Sequence, residues 1–302
     1  MQYYVIDRMG EVKAEMIRLL KLVDDICLRN NIRYWVDGGT LIGAIRHKGF
    51  IPWDDDIDIS VLKPDYLKLL SCLRKECANE DSKEYLLFDN EKSNHHCCNY
   101  LCSKKNLYGR MRGSFVFVPV KLDIRPVNII SSRPEEVRLN KELREIANEH
   151  IYGKKVVPLT SISEVYQNLT KEEFFQFYNN EYGLEKLENE VQLSLPYYEF
   201  ANEYNITPSY FTSFKRVKFE NMETFIPVGY DGYLRLMYGD YMQLPKLDSR
   251  VPAEYEYISF ENHIAAVDFV RHPSKKRLDR ITAAIKLFGL SKFIKILKER
   301  EC

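Results

Sequence analysis

The sequence predicts an α/β (α+β) fold, with a mixed sheet, flanking helices and a mainly helical C-terminal part. Three observations predict it. Short β-branched and aromatic runs alternate with stretches of helical apolar spacing through the first half of the chain. Apolar residues make up 45% and charged residues 29% of the 302, enough for a buried core and too apolar for intrinsic disorder. No run approaches the roughly 18 apolar residues a membrane-spanning helix needs.

From Val12 to Cys27 apolar residues fall at 12, 16, 19, 20, 23, 26 and 27, the stripe of an amphipathic helix that Asn30-Asn31 ends. Ile32 to Val36 reads as a strand, Asp37-Gly38-Gly39-Thr40 as a turn, and Leu41 to His47 as a short helix. Ile57 to Leu62 alternates apolar and polar residues and predicts a second strand. Pro64 to Cys77 opens on Pro and Asp and predicts a helix. Tyr85 to Phe88 and Phe115 to Ile124 read as strands, the latter with an edge or bulge at Pro119. Pro134 to His150 reads as a charged helix. Residues 151 to 215 read as short helices and loops. The division expected is a catalytic core over 1–150, a helical and aromatic remainder over 151–273 completing the cleft, and a basic amphipathic helix over 274–302.

Lys plus Arg and Asp plus Glu both number 44, a formal net charge of zero, which excludes a chain-wide basic footprint for nucleic acid. The seven Cys are odd in number and scattered, and the opening residues are too short and polar for a secretory signal. A reduced, cytoplasmic protein is expected.

The chemistry concentrates in Tyr34 to Ser60. Asp54, Asp55, Asp56 and Asp58 lie within five residues. On a strand Asp56 and Asp58 point the same way, with Ile57 and Ile59 toward the core. Carboxylates side by side on a buried strand repel unless a cation lies between them, and hard oxygen ligands suit Mg²⁺. An acidic turn without ligand explains the cluster alone about as well. Upstream, Gly38-Gly39-Thr40 before a helix forms a phosphate seat, and Arg46, His47 and Lys48 supply cations. A tight turn and a solvated helix end are the plainer alternatives. Asp123, between Leu122 and Ile124, is an acid on an apolar strand. It either completes a metal site and takes the proton of an attacking hydroxyl, or pairs with Arg125 or Lys121.

The run GTLIGAIRHKGFIPWDDDIDI resembles the signature of the LicD family of phosphocholine transferases, to which fukutin is more distantly related, within the nucleotidyltransferase-fold superfamily. Gly38-Gly39, Asp56/Asp58 and Asp123 match, in order, its glycine turn, its Asp-x-Asp strand and its later acid. A second family-like patch spans Phe225 to Met242. The resemblance implies a nucleotidyltransferase-like mixed sheet. It also implies transfer of a phospho-alcohol, phosphocholine or a polyol phosphate, from a CDP-linked donor to a sugar hydroxyl of a surface glycan, with release of CMP. Asp56, Asp58 and Asp123 would be the catalytic acids and would hold Mg²⁺ or Mn²⁺. Gly38, Gly39, Thr40, Arg46, His47, Lys48, Trp53, Asp54, Asp55, Arg125, Tyr238 and Asp240 would line the substrate cleft, with Trp53 either stacking on the donor or simply packing. The family's third-acid segment tends to be LDIFPLD; here it is LDIRPVN, so Arg125 stands for an aromatic and Asn128 for an acid. Two other readings stand beside this one. One is a nucleotidyltransferase that uses an NTP and releases pyrophosphate; the other is a silent binding module for glycan or nucleotide.

His95-His96-Cys97-Cys98 with Cys102 lacks the spacing of a zinc site, and zinc is not expected. Asn168 and Asn205 open sequons of no consequence in a cytoplasmic protein. The last 29 residues hold nine basic and three acidic groups beside an apolar stripe. Such a helix lies on an anionic membrane surface, packs on the body or forms a dimer contact. The partners expected are a CDP-linked donor, a glycan or lipid-linked glycan and the inner face of a membrane, and no nucleic acid.

Overall fold

The computed structural model describes residues 9–78, 84–88, 99–104, 108–111, 117–131, 191–194, 206–253 and 255–259, with 142, 146, 169, 170 and 173 between them. The first helix, α1, runs from Met9 to Asn30 and buries the predicted stripe, including Val12, Met16, Leu19, Leu20, Val23 and Ile26. Asn31 stops it in the left-handed conformation, at φ 51°. Then follow β1 (Tyr34–Val36), α2 (Gly38–Arg46), β2 (Asp58–Leu62) and α3 (Lys63–Ala78). Next come β3 (Tyr85–Phe88), β4 (Asn99–Ser103), β5 (Tyr108–Met111), β6 (Phe117–Pro119) and the long β7 (Lys121–Ser131).

The main sheet has the order β1-β2-β7-β4-β3. β2 and β7 are parallel, and the other neighbours run antiparallel. Ile59, Val61, Leu122 and Ile124 are fully buried and join α1 and α3 in one core. The architecture is the mixed α/β sheet with helices that the sequence predicts.

Three differences have physical causes. The strand expected over Phe115 to Ile124 is two strands. Pro119 lacks the N–H that would continue the ladder, and the chain changes sheets at Val120. β6 pairs with β5, and β5 pairs with β11 (Tyr255–Ser259) in a separate three-stranded sheet. Second, the later half contributes strands as well as helices among the described residues. β8 (Val191–Ser194) pairs with the far end of β7, and β9 (Phe214–Phe219) and β10 (Met222–Pro227) form a hairpin before α4 (Tyr230–Tyr238). Pairing therefore crosses position 150 twice. Third, α2 starts at Gly38, three residues earlier than predicted, because Asp37 caps it. Of the helix expected over Pro134 to His150, residues 142 and 146 are described and helical. The His95–Cys98 run, Asn168, Asn205 and the basic segment 274–302 lie outside the described residues.

The hairpin and α4 close over the end of the main sheet. Trp35 packs against Phe211 and Phe214, with ring centroids 4.8 and 5.5 Å apart, and Tyr34 meets Phe225 edge-on at 5.6 Å. Asp24 of α1 is buried and accepts from both terminal nitrogens of Arg216 (2.9 and 2.8 Å) and from the Tyr34 hydroxyl (2.7 Å), which ties helix, sheet and hairpin together.

Candidate active site

The acids gather where β2 and β7 begin. Asp58 and Asp123 are direct register partners on these parallel strands, so their side chains share one face of the sheet. The same register sets Ser60 beside Arg125. Asp56 lies in the approach to β2, two residues before Asp58, and not on the strand as predicted. The backbone here is pinned. The Asp58 N–H donates to Thr40 Oγ1 (3.0 Å), the Asp123 N–H donates to the Ile57 carbonyl (2.9 Å), and the Asp37 N–H donates to the Asp58 carbonyl (3.1 Å).

Asp37, fully buried, organises the turn. Its carboxylate accepts from the Gly38 N–H (2.8 Å), the Ser60 hydroxyl (2.5 Å) and the Tyr233 hydroxyl (2.9 Å). Three donors make a buried carboxylate tolerable, and the helix N-terminus adds a favourable dipole. Gly38 takes φ 57°, a conformation that favours glycine. Asp54 lies over the same turn, so close that a Cβ on Gly39 would stand 3.0 Å from its Oδ2.

The phosphate seat expected from sequence is thus engaged by the protein itself. Gly38 and Gly39 face Asp37 and Asp54, and Thr40 holds Asp58. Arg46 donates to the Tyr241 and Gln243 carbonyls at 2.5 and 3.0 Å, and to His47 Nε2 at 2.9 Å. Burial and the adjacent Arg46 hold the His47 pKa below its usual value. Lys48 is exposed at φ 61°. Trp53 is buried, with His47 at one edge (6.4 Å) and the Arg250 guanidinium near its ring (5.8 Å). Asp55 is fully buried and accepts the Ala253 N–H at 2.9 Å. Tyr238 and Asp240 are exposed around the C-terminal end of α4.

Burial sets the electrostatics of this cluster. Burial, with mutual repulsion, holds the carboxyls of Asp54 and Asp58 well above the usual carboxylate range and raises that of Asp56. Two cations on β7 oppose this: Lys121 Nζ lies 2.6 Å from Asp123 Oδ1, and Arg125 Nη2 lies 2.6 Å from Asp58 Oδ1. The pairing of Asp123 with Lys121, foreseen as an alternative to a metal, is present. Among the described residues no three His, Cys, Asp or Glu side chains stand ready to hold a metal ion. The donor set nevertheless suits a hard cation, because Asp56, Asp58 and Asp123 outnumber the two cations and Asp58 Oδ1 is buried without a hydrogen bond. Cys102 is buried on β4, and burial pushes its thiol up to about 12, which makes it an inert thiol.

Sequence reasoning missed Asp37, Tyr233 and Lys13. Asp37 precedes the Gly-Gly pair, and a helix start at Gly38 would have exposed it as a cap. Tyr233 and Lys13 carry no local signal, since their partners lie far along the chain. Lys13 donates to the Ile51 and Pro52 carbonyls at 3.0 and 2.9 Å, just before the acidic run.

Residues 31–114 match the family described as LicD/FKTN/FKRP, nucleotidyltransferase domain. The chain is 27% identical over 256 residues to the lipopolysaccharide cholinephosphotransferase LicD of Haemophilus influenzae, covering 80% of this chain and 94% of that protein. Uncharacterized proteins of Rickettsia prowazekii and Rickettsia typhi are 41% and 46% identical over 64 and 59 residues. The chain spans only 24% and 19% of the length of those two. The human ribitol 5-phosphate transferase FKRP is 50% identical over 34 residues, 11% of this chain and 7% of that protein.

Proposed function

On the premise that residues 31–114 carry a nucleotidyltransferase domain of the LicD family, we propose that the protein is a phosphotransferase acting on a glycan. It moves a phospho-alcohol, phosphocholine or a polyol phosphate, from a CDP-linked donor to a sugar hydroxyl, and CMP leaves. The observation that carries this reading is the side-by-side placement of Asp58 and Asp123 on parallel strands, with Asp56 just before them. The names of the relatives, a cholinephosphotransferase and a ribitol 5-phosphate transferase, support the class of group transferred.

Asp56, Asp58 and Asp123 would hold a divalent cation, Mg²⁺ or Mn²⁺. When bound, it neutralises the diphosphate and the charge that develops on the leaving CMP. Asp123 accepts the proton of the attacking hydroxyl, and Lys121 keeps its carboxylate oriented. Thr40 and Asp37 fix the backbone of Asp58, so the acids stay placed as charge moves. Trp53 packs beside the acidic run, with the Arg250 guanidinium near its ring. The basic, amphipathic sequence of 274–302 supports placing the enzyme at an anionic membrane surface, where a lipid-linked glycan is met. No helix among the described residues is long and apolar enough to cross a membrane.

The test is CMP release from CDP-choline, CDP-glycerol and CDP-ribitol with Mg²⁺ and a glycan acceptor. One donor should turn over, and Asp58→Asn should lower the rate at least about a hundredfold, as loss of one transition-state contact does. Pyrophosphate release from an NTP would favour the nucleotidyltransferase reading, and full activity of Asp58→Asn would overturn the assignment of the acids.

A further inference from the structure

The strand β7 opens Lys121-Leu-Asp-Ile-Arg, so a cation stands two residues before and two residues after Asp123, and all three side chains share one face. The two cations are not equivalent. Lys121 makes a directed hydrogen bond to Asp123 Oδ1 at 2.6 Å. Arg125 reaches diagonally across to Asp58, and its Nη2 stands 2.6 Å from Oδ1. That contact is an ion pair, and Asp58 Oδ1 is buried with no hydrogen-bond partner. Three carboxylates, Asp56, Asp58 and Asp123, face two cations, a surplus of one negative charge. A divalent cation arriving alone makes the site net positive and must take an oxygen that Arg125 already faces. A cation arriving with a diphosphate restores the balance.

We propose that Arg125 is an exchangeable counter-ion. It holds Asp58 until a divalent cation binds, yields Oδ1 to that cation, and turns its guanidinium to the phosphate oxygens of the donor. The inference rests on the divalent-cation reading above and adds a binding order to it: cation and donor enter as a cooperative pair. A planar guanidinium suits this exchange, because the fork that grips a carboxylate fits a phosphate equally well.

The experiment measures Mn²⁺ binding alone, from the free-ion resonance signal, and CDP-choline binding by calorimetry at saturating Mn²⁺. Wild type, Arg125→Gln and Arg125→Lys are compared. Arg125→Gln should bind Mn²⁺ alone about tenfold tighter and CDP-choline with Mn²⁺ about tenfold more weakly, an ordinary size for coupling between sites. Arg125→Lys should keep the weak Mn²⁺ binding of wild type and lose donor affinity, because it keeps the charge without the fork. It carries the test should the Gln variant fail to fold. Unchanged Mn²⁺ affinity in Arg125→Gln, or wild-type donor affinity in Arg125→Lys, would overturn the exchange and leave the metal reading intact. Mn²⁺ binding to none of the three proteins would overturn both.

Discussion

Asp58 is held by its backbone as firmly as by its charge. Its N–H donates to the hydroxyl of Thr40, and both residues are buried. Thr40→Val keeps the shape and removes the acceptor, leaving a buried amide unsatisfied. It should cost about 1–3 kcal/mol in a urea melt. Transfer should fall while substrate affinity is kept, because the carboxylate shifts from its place beside Asp123. A stability within experimental error of wild type would show that the hydroxyl does not matter. The acids themselves are legible in the sequence, since Asp58 between Ile57 and Ile59 and Asp123 between Leu122 and Ile124 both read from period-two alternation. Asp37 is not. Its role depends on Ser60 and on Tyr233, 196 positions further on, and a local reading places it in a turn.

The loop between α2 and β2 carries the acidic run, and two distant elements clamp it. From α1, Lys13 donates to the carbonyls of Ile51 and Pro52 and lies 5.2 Å from the Phe50 ring centroid. Burial lowers the pKa of its ammonium, and Asp54, Glu220 and Asp55 oppose that shift. From the β9–β10 turn, Glu220 accepts the Phe50 N–H at 2.9 Å while its own N–H donates to the Lys48 carbonyl at 2.9 Å. Glu220 takes φ 53°, a strained conformation for that residue, and Gly49 is close enough that any Cβ would collide with the Glu220 side chain. Lys13→Met keeps most of the aliphatic packing and deprives two carbonyls of their donor. It should cost about 1–2 kcal/mol and speed amide exchange over 50–56 more than in the α3 core. Uniform exchange across the chain would show a general loss of stability instead of a loosened loop. Elements with a strong period, α1 and α3, were legible to within a few residues. The hairpin and β8 were not, because short strands whose partners lie far off in sequence carry no signal of their own.

At the scale of the whole chain, the net charge of zero conceals local surpluses, and the site is the sharpest of them. Five carboxylates, Asp54, Asp55, Asp56, Asp58 and Asp123, lie within a region where Lys13, Arg46, Lys121 and Arg125 are the neighbouring cations that the electrostatics single out. Folding therefore works against burial of unmatched negative charge, and a ligand that supplies positive charge to the folded state alone must stabilise it. Linkage sets the size. A ligand held at a hundred times its dissociation constant adds about 2.7 kcal/mol, which for a domain of this order raises the melting temperature by roughly 5–10 °C. If Arg125 opposes the cation alone, Mn²⁺ by itself should shift the melt by only a small part of that, and CDP-choline without a cation likewise. Together they should reach the full shift, more than the two single shifts combined. Asp58→Asn removes the negative charge that the cation takes, so its own melt should be as high as that of wild type or higher, while the joint shift disappears. Scanning calorimetry of the two proteins with each ligand and with both decides the matter. A joint shift retained in Asp58→Asn would place the cation elsewhere, and single shifts that merely add would remove the coupling between cation and donor.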